Sequence, residues 1–198
     1  MHNFIKILLA MTVLTAFILL GQILVIKGKA FIAQQLLQHS WQDYKQSKTS
    51  APKRPWPWAD MYPVAELVFE KQEKRYIVLN TDSGQALAFA PGLNGVSQEN
   101  LTIISAHNDT HFDDIADFEQ GDTITLESKQ FSRSLSQSYR VFDTQIIDLS
   151  QGEIFVSQPP QEPHLLLVTC YPFNTNFEQT SQRLVVFAKA HQPELVSL

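Results

Sequence analysis

The chain has 198 residues, is 44% hydrophobic and carries a formal net charge of −5, a size that fits one domain plus an appendage. It has no basic run or stripe to neutralise phosphates, which argues against a nucleic-acid partner. Its six histidines are scattered, and His107 with His111 forms no ligand set, so the spacing points to no metal site.

The appendage comes first. Ile7 to Ile26 is an uncharged run whose clearly polar members are Thr12, Thr15 and Gln22. As a helix it measures about 30 Å, the thickness of a bilayer's hydrocarbon core. The apolar region of a cleaved signal peptide is shorter, and Lys27-Gly28-Lys29-Ala30 is a poor cleavage site. The run is therefore read as an uncleaved membrane anchor covering residues 1–28. Lys6 before it and Lys27 and Lys29 after it leave the positive-inside rule nearly balanced.

Residues 29–58 read as a helical stalk and a linker. Ala30 to Lys48 is rich in helix formers, with Phe31, Leu36 and Leu37 as a sticky side. Three prolines, Pro52, Pro55 and Pro57, then exclude helix and central strand, giving an extended linker that docks Trp56 and Trp58 on the domain edge.

From Ala59 to the C-terminus the pattern is that of short strands: Ala65–Phe69, Arg75–Leu79, Ala86–Phe89, Leu101–Ser105, Thr123–Leu126, Ser138–Ile147, Ile154–Val156, Leu165–Thr169 and Arg183–Ala190. Turn signals separate them, among them Asp82-Ser83-Gly84, Pro91-Gly92 and Gly121-Asp122. A helical turn is expected around Phe112–Phe118. Short strands at this spacing give an all-β domain, a sandwich or a closed barrel.

Three reactive side chains fall at strand ends. Cys170, the only cysteine, closes the run Leu165-Leu166-Leu167-Val168-Thr169, and Pro172 follows it. Arg183 opens the next apolar run, and His107 follows Leu101–Ala106. A thiol must be deprotonated to attack, so a catalytic cysteine needs a basic or cationic neighbour. His107 can hold that proton and return it to a leaving amine, and Arg183 offers a rigid fork of donors to an oxyanion. Each residue also has a bland reading: a packed cysteine, a hydrogen-bonded surface histidine, a solvated arginine.

The motifs taken together resemble the sortases. Leu166-Leu167-Val168-Thr169-Cys170-Tyr171-Pro172-Phe173, followed by Arg183-Leu184-Val185-Val186, is similar to the family's Thr-Cys strand end and the arginine that opens the next strand. Ile104-Ser105-Ala106-His107-Asn108-Asp109-Thr110-His111-Phe112 resembles its histidine segment, and Phe118 to Ile124 its Gly-Asp turn. Trp56-Pro57-Trp58-Ala59-Asp60 and Ser83 to Phe89 look like the single-anchor sortases of Gram-negative, chiefly marine, proteobacteria. The family has Gly before the histidine and Arg after it, where this chain has Ala106 and Asn108.

The resemblance implies a closed eight-stranded β-barrel with short helices, preceded by a transmembrane helix, with residues 59–198 as the catalytic domain. It implies a single-pass protein of the inner (cytoplasmic) membrane with that domain in the periplasm. Cys170 would attack a threonine carbonyl in an LPxTG-like sorting signal of a substrate protein, forming a thioester. His107 would protonate the departing amine and deprotonate the incoming one, and Arg183 would stabilise the oxyanion or orient the carbonyl. Thr169 would place its hydroxyl beside the oxyanion site. The segment Asp148–His164 corresponds to the specificity loop, where Ile154 and Phe155 would hold an apolar side chain of the signal. No cofactor is expected, and the amine acceptor is left open. Some sortases bind calcium, but the acidic residues Asp109, Asp113, Asp114 and Asp117 lack a calcium-loop spacing and read as a solvated face.

Two other readings stand beside this one. L,D-transpeptidases are β-rich cysteine acyltransferases, but they keep their His close before the Cys, whereas His107 precedes Cys170 by 63 residues. A non-catalytic, membrane-anchored β-barrel for envelope assembly or binding would gain ground from a Cys170 that is buried, remote from His107 and unreactive toward thiol reagents.

Overall fold

The computed structural model describes residues 2–47, 51–130, 133–151, 160–173 and 180–191. It divides into two compact units, Met1–Leu36 and Leu37–Leu198. The first is the N-terminal part of helix α1 (His2–Gln46), where Phe4, Leu8, Leu14, Phe17, Leu20 and Leu24 are among the exposed apolar side chains. One stretch of this helix is long and apolar enough to cross a membrane.

The second unit holds eight strands: β1 (Pro63–Phe69), β2 (Lys74–Leu79), β3 (Gly92–Leu93), β4 (Leu101–Ser105), β5 (Thr123–Gln130), β6 (Arg133–Asp148), β7 (His164–Cys170) and β8 (Gln182–Ala190). They close into a barrel in the order β1-β2-β3-β4-β7-β8-β6-β5. Pairing is antiparallel except for β2 with β3 and β4 with β7. The alternation of side chains builds the interior. Ala65, Leu67 and Phe69 of β1, Ile124 and Leu126 of β5, Leu165 and Leu167 of β7, and Leu184, Val186 and Ala188 of β8 share one core cluster. At its centre the Phe69 ring meets Phe118 edge-on at a centroid distance of 4.9 Å. Gly121 adopts φ +101°, a backbone that disfavours side chains, and its N–H and the Asp122 carbonyl hold the turn to Val141.

Three expectations change. Ala86–Phe89 is not a strand; Gly84–Leu87 forms a short helix, α2, because Ser83 caps it through the Ala86 N–H and Gln85, Ala86 and Leu87 favour helix. Of the linker tryptophans, Trp56 packs edge-on against Phe89 while Trp58 is 82% exposed. The sticky side of the stalk within the barrel unit is Leu37, Ser40, Trp41 and Tyr44, all buried, whereas Phe31 and Leu36 are exposed. The helical turn after His107 is a short 3₁₀ turn at Ile115–Asp117, and Ile154–Val156 lies outside the described residues.

The last turns of α1 are built into the barrel wall. Trp41 and Tyr44 form a cluster with Ile77, and Leu37 joins another with Met61, Leu79, Ala86 and Ala90. Trp41 Nε1 donates to the buried Glu66 carboxylate of β1 at 3.4 Å. From β5, buried Lys129 donates to the carbonyls of Tyr44 and Ser47 and lies over the Tyr44 ring. A cation at the carbonyl end of a helix satisfies groups that have no intrahelical partner.

Candidate active site

Strand β7 alternates strictly near its end: Leu165 and Leu167 point into the core, while Leu166 and Val168 belong to a separate cluster on the outer face. Cys170 continues the outer row and ends exposed, as a free thiol. Its register partner across the antiparallel β7/β8 ladder is Arg183, so the two side chains are neighbours on the same face of the sheet. Arg183 is half-buried, and its Nη1 donates to the carbonyls of Thr180 and Gln182, each at 2.8 Å. These bonds hold the guanidinium on its own loop and strand start, and among the described residues no further hydrogen bond engages the rest of the fork.

The histidine reaches the same end of the barrel by a different route. Strands β4 and β7 run parallel, pairing Ser105 with Val168, so both chains leave the sheet side by side. The Ala106 N–H continues this ladder to the Val168 carbonyl at 3.1 Å, and His107 follows. The next residue, Asn108, donates from Nδ2 to the Cys170 carbonyl at 3.0 Å and the Pro172 carbonyl at 3.3 Å. A turn in which the Phe112 N–H donates to the His107 carbonyl then buries Phe112 in the core.

Two groups border this end. Thr81 and Asp82 cross so close to Gly92 that a Cβ there would lie 2.1 Å from the Thr81 carbonyl oxygen. The crossing brings the Asp82 carboxylate to β4, where it accepts from Ser105 Oγ at 3.0 Å and from Asn94 Nδ2. On the other side, His111 sits edge-on to Tyr76 at 6.0 Å. Burial holds its imidazole below the usual histidine range, and the nearby His107 adds to that shift. The acidic residues Asp113 and Asp114 are answered by the Lys74 ammonium at 3.2 and 3.0 Å.

A thiol and a guanidinium on neighbouring strands β7 and β8, and an imidazole on the segment that follows the adjacent β4, thus stand at one end of an eight-stranded barrel. A family model described as the Sortase domain matches residues 65–191, from β1 to the end of β8. The chain belongs to the sortase family. Sortases are cysteine transpeptidases, and Cys170 is the one cysteine this sortase has. Solved sortases share the barrel at low identity. Sortase C1 from Streptococcus suis is 18% identical, with a TM-score of 0.57 over 66% of this chain and 74% of that one. Sortase A from Corynebacterium diphtheriae is 17% identical, with a TM-score of 0.57 over 83% and 86%. Sortase C from Clostridium perfringens, solved with the C-terminal cell wall sorting motif, is 14% identical, with a TM-score of 0.51 over 84% and 91%. A comparison with curated proteins returned no match.

Of the side chains singled out in the sequence, His107, Cys170 and Arg183 come to one end of this sortase's barrel. Thr169 does not share their face. It is buried, and its Oγ1 donates to the Ala106 carbonyl at 2.7 Å. Ile154 and Phe155 lie outside the described residues. Sequence reasoning did not find the contacts of Asn108 or of Asp82. Asn108 had left a signal, since it departs from the family's usual arginine, whereas Asp82 was visible only as part of a turn.

Proposed function

We propose that this sortase cleaves an LPxTG-like sorting signal at the Thr–Gly bond and transfers the protein carrying it to an amine acceptor. The observation that carries the reading is the register pair Cys170/Arg183 beside the loop that presents His107. The Cys170 thiolate attacks the threonine carbonyl carbon, and the oxyanion that forms is met by the Arg183 guanidinium. The C–N bond breaks as His107 gives its proton to the departing glycine amine, leaving a thioester. An incoming amine loses a proton to His107 and attacks the thioester, and the C–S bond breaks to restore the thiolate beside protonated His107. The Clostridium perfringens sortase C solved with the C-terminal cell wall sorting motif supports a sorting signal as substrate.

Cys170 is exposed, so the non-catalytic barrel gains no support from a buried thiol. We also propose that α1 anchors the enzyme by a single pass in the inner membrane, with residues 59–198 as the catalytic domain on the periplasmic side; exposed apolar side chains such as Phe4, Leu14, Phe17 and Leu24 support the anchor. The acceptor is open between lipid, peptidoglycan and protein amines.

The test uses the full-length chain in detergent and a fluorogenic peptide bearing an LPxTG-like sequence. Wild type should release the C-terminal fragment and Cys170→Ala should not. Equal release by the variant would overturn the reading.

A further inference from the structure

His107 stands on a short arch, and both feet of that arch are tied to the strand that carries Cys170. The first foot is Ala106, whose N–H donates to Val168 and whose carbonyl accepts from Thr169. The second is Asn108, whose amide donates to the carbonyls of Cys170 and Pro172. The first foot continues the sheet, so it needs no particular side chain at position 106. The second is made by a side chain alone. An amide NH₂ has two protons, and these two carbonyls occupy both.

We infer that Asn108 is a positioning residue that sets the distance and orientation between His107 and Cys170. The inference rests on the proposed cysteine–histidine chemistry and assigns a role to the residue that replaces the family's arginine. The amide bridges the carbonyl of the nucleophile's own residue to the residue next to the imidazole, so neither chain end can swing without breaking it. Proton transfer requires hydrogen-bond reach between the partners, and a displacement of about 1 Å can lower a rate a hundredfold. The site borders solvent, so water can replace the lost donors and the barrel's stability has little at stake. Asn108→Ala frees the arch. Asn108→Asp keeps the shape but sets a carboxylate against two carbonyls, and so pushes the feet apart.

Two measurements on the full-length chain in detergent test this. In the first, kcat on a fluorogenic sorting peptide should fall about tenfold to a hundredfold in Asn108→Ala and further in Asn108→Asp, with KM within about twofold of wild type. In the second, the pH profile of Cys170 alkylation by iodoacetamide should shift in both variants toward that of His107→Ala, while their thermal midpoints stay near wild type. This second readout needs no substrate, so it holds whatever peptide the enzyme prefers. Wild-type alkylation profiles and kcat in both Asn108 variants would overturn the inference, as would an unchanged profile accompanied by a fall in thermal midpoint. If His107→Ala itself leaves the alkylation profile of the wild-type chain unchanged, it is the cysteine–histidine reading that fails, and the inference with it.

Discussion

Thr169 Oγ1 donates to the Ala106 carbonyl at 2.7 Å, which bonds the residue before the cysteine to the residue before the histidine. Both residues are buried, so solvent does not compete for this bond. Thr169→Val keeps the shape and removes the donor, leaving the Ala106 carbonyl short of a partner at a cost of about 1–3 kcal/mol. The urea midpoint should fall accordingly, and Thr169→Ser should recover most of the loss. A valine variant as stable as wild type would refute this.

Arg183 offers a planar fork, and part of that fork is already spent on Thr180 and Gln182. A lysine ammonium in its place would face the same carbonyls with no second prong for an oxyanion. Arg183→Lys should therefore lower kcat/KM about a hundredfold on a sorting peptide, the scale seen when an oxyanion donor is lost. A near-normal rate would remove Arg183 from the site.

Gly92 is required by the backbone that crosses it. A methyl group there meets the Thr81 carbonyl oxygen and the Asp82 Cα, which lies 2.7 Å from the added carbon. Gly92→Ala should cost about 1–3 kcal/mol, the range for overpacking, because it is main chain that must give way. It should also draw Asp82 away from Ser105. Denaturant unfolding reads the first effect, and an unchanged midpoint would show that the crossing can relax.

His111 makes stability depend on pH. Its native pKa lies below the ordinary value of about 6.5, because burial disfavours the imidazolium. The unfolded chain then takes up a proton that the native state resists. The contribution is fully present above about pH 6.5 and is lost as pH falls through the depressed native value. Urea midpoints should drop between about pH 7.5 and about pH 5.5. The drop should be smaller in His111→Gln, and an equal drop would assign it to other groups.

The barrel's strands were legible where a short apolar run is bounded by turn signals, as at Leu101–Ser105 and along β7 and β8, whose two faces both pack into apolar clusters. Ala86–Phe89 was misread because an apolar run of that length looks the same in a strand and in a short helix, and the Ser83 cap decided it. The strand order, with β4 beside β7, depends on pairing across some sixty residues (Ser105 with Val168, for example), which local pattern does not encode. In the site, residue chemistry and spacing were enough to single out Cys170, His107 and Arg183. The Asn108 amide and the Asp82 carboxylate escaped because their partners are distant backbone and side-chain atoms. Trp41 escaped for a related reason: its place in the wall depends on Glu66 and Ile77.

The docking of the last turns of α1 decides where this protein can be cut. A soluble fragment begun at Ala59 would discard Leu37, Ser40, Trp41 and Tyr44, baring the apolar faces of Ile77, Met61 and Leu79 and leaving Glu66 and Lys129 without their helix partners. Such a fragment should aggregate or unfold without a sharp transition, whereas one begun at Phe31 should remain soluble and melt cooperatively. Equal behaviour of the two fragments would show the helix end to be dispensable. For anyone preparing the enzyme without its N-terminal apolar run, the usable boundary therefore falls inside the helix rather than at the proline-rich linker after it.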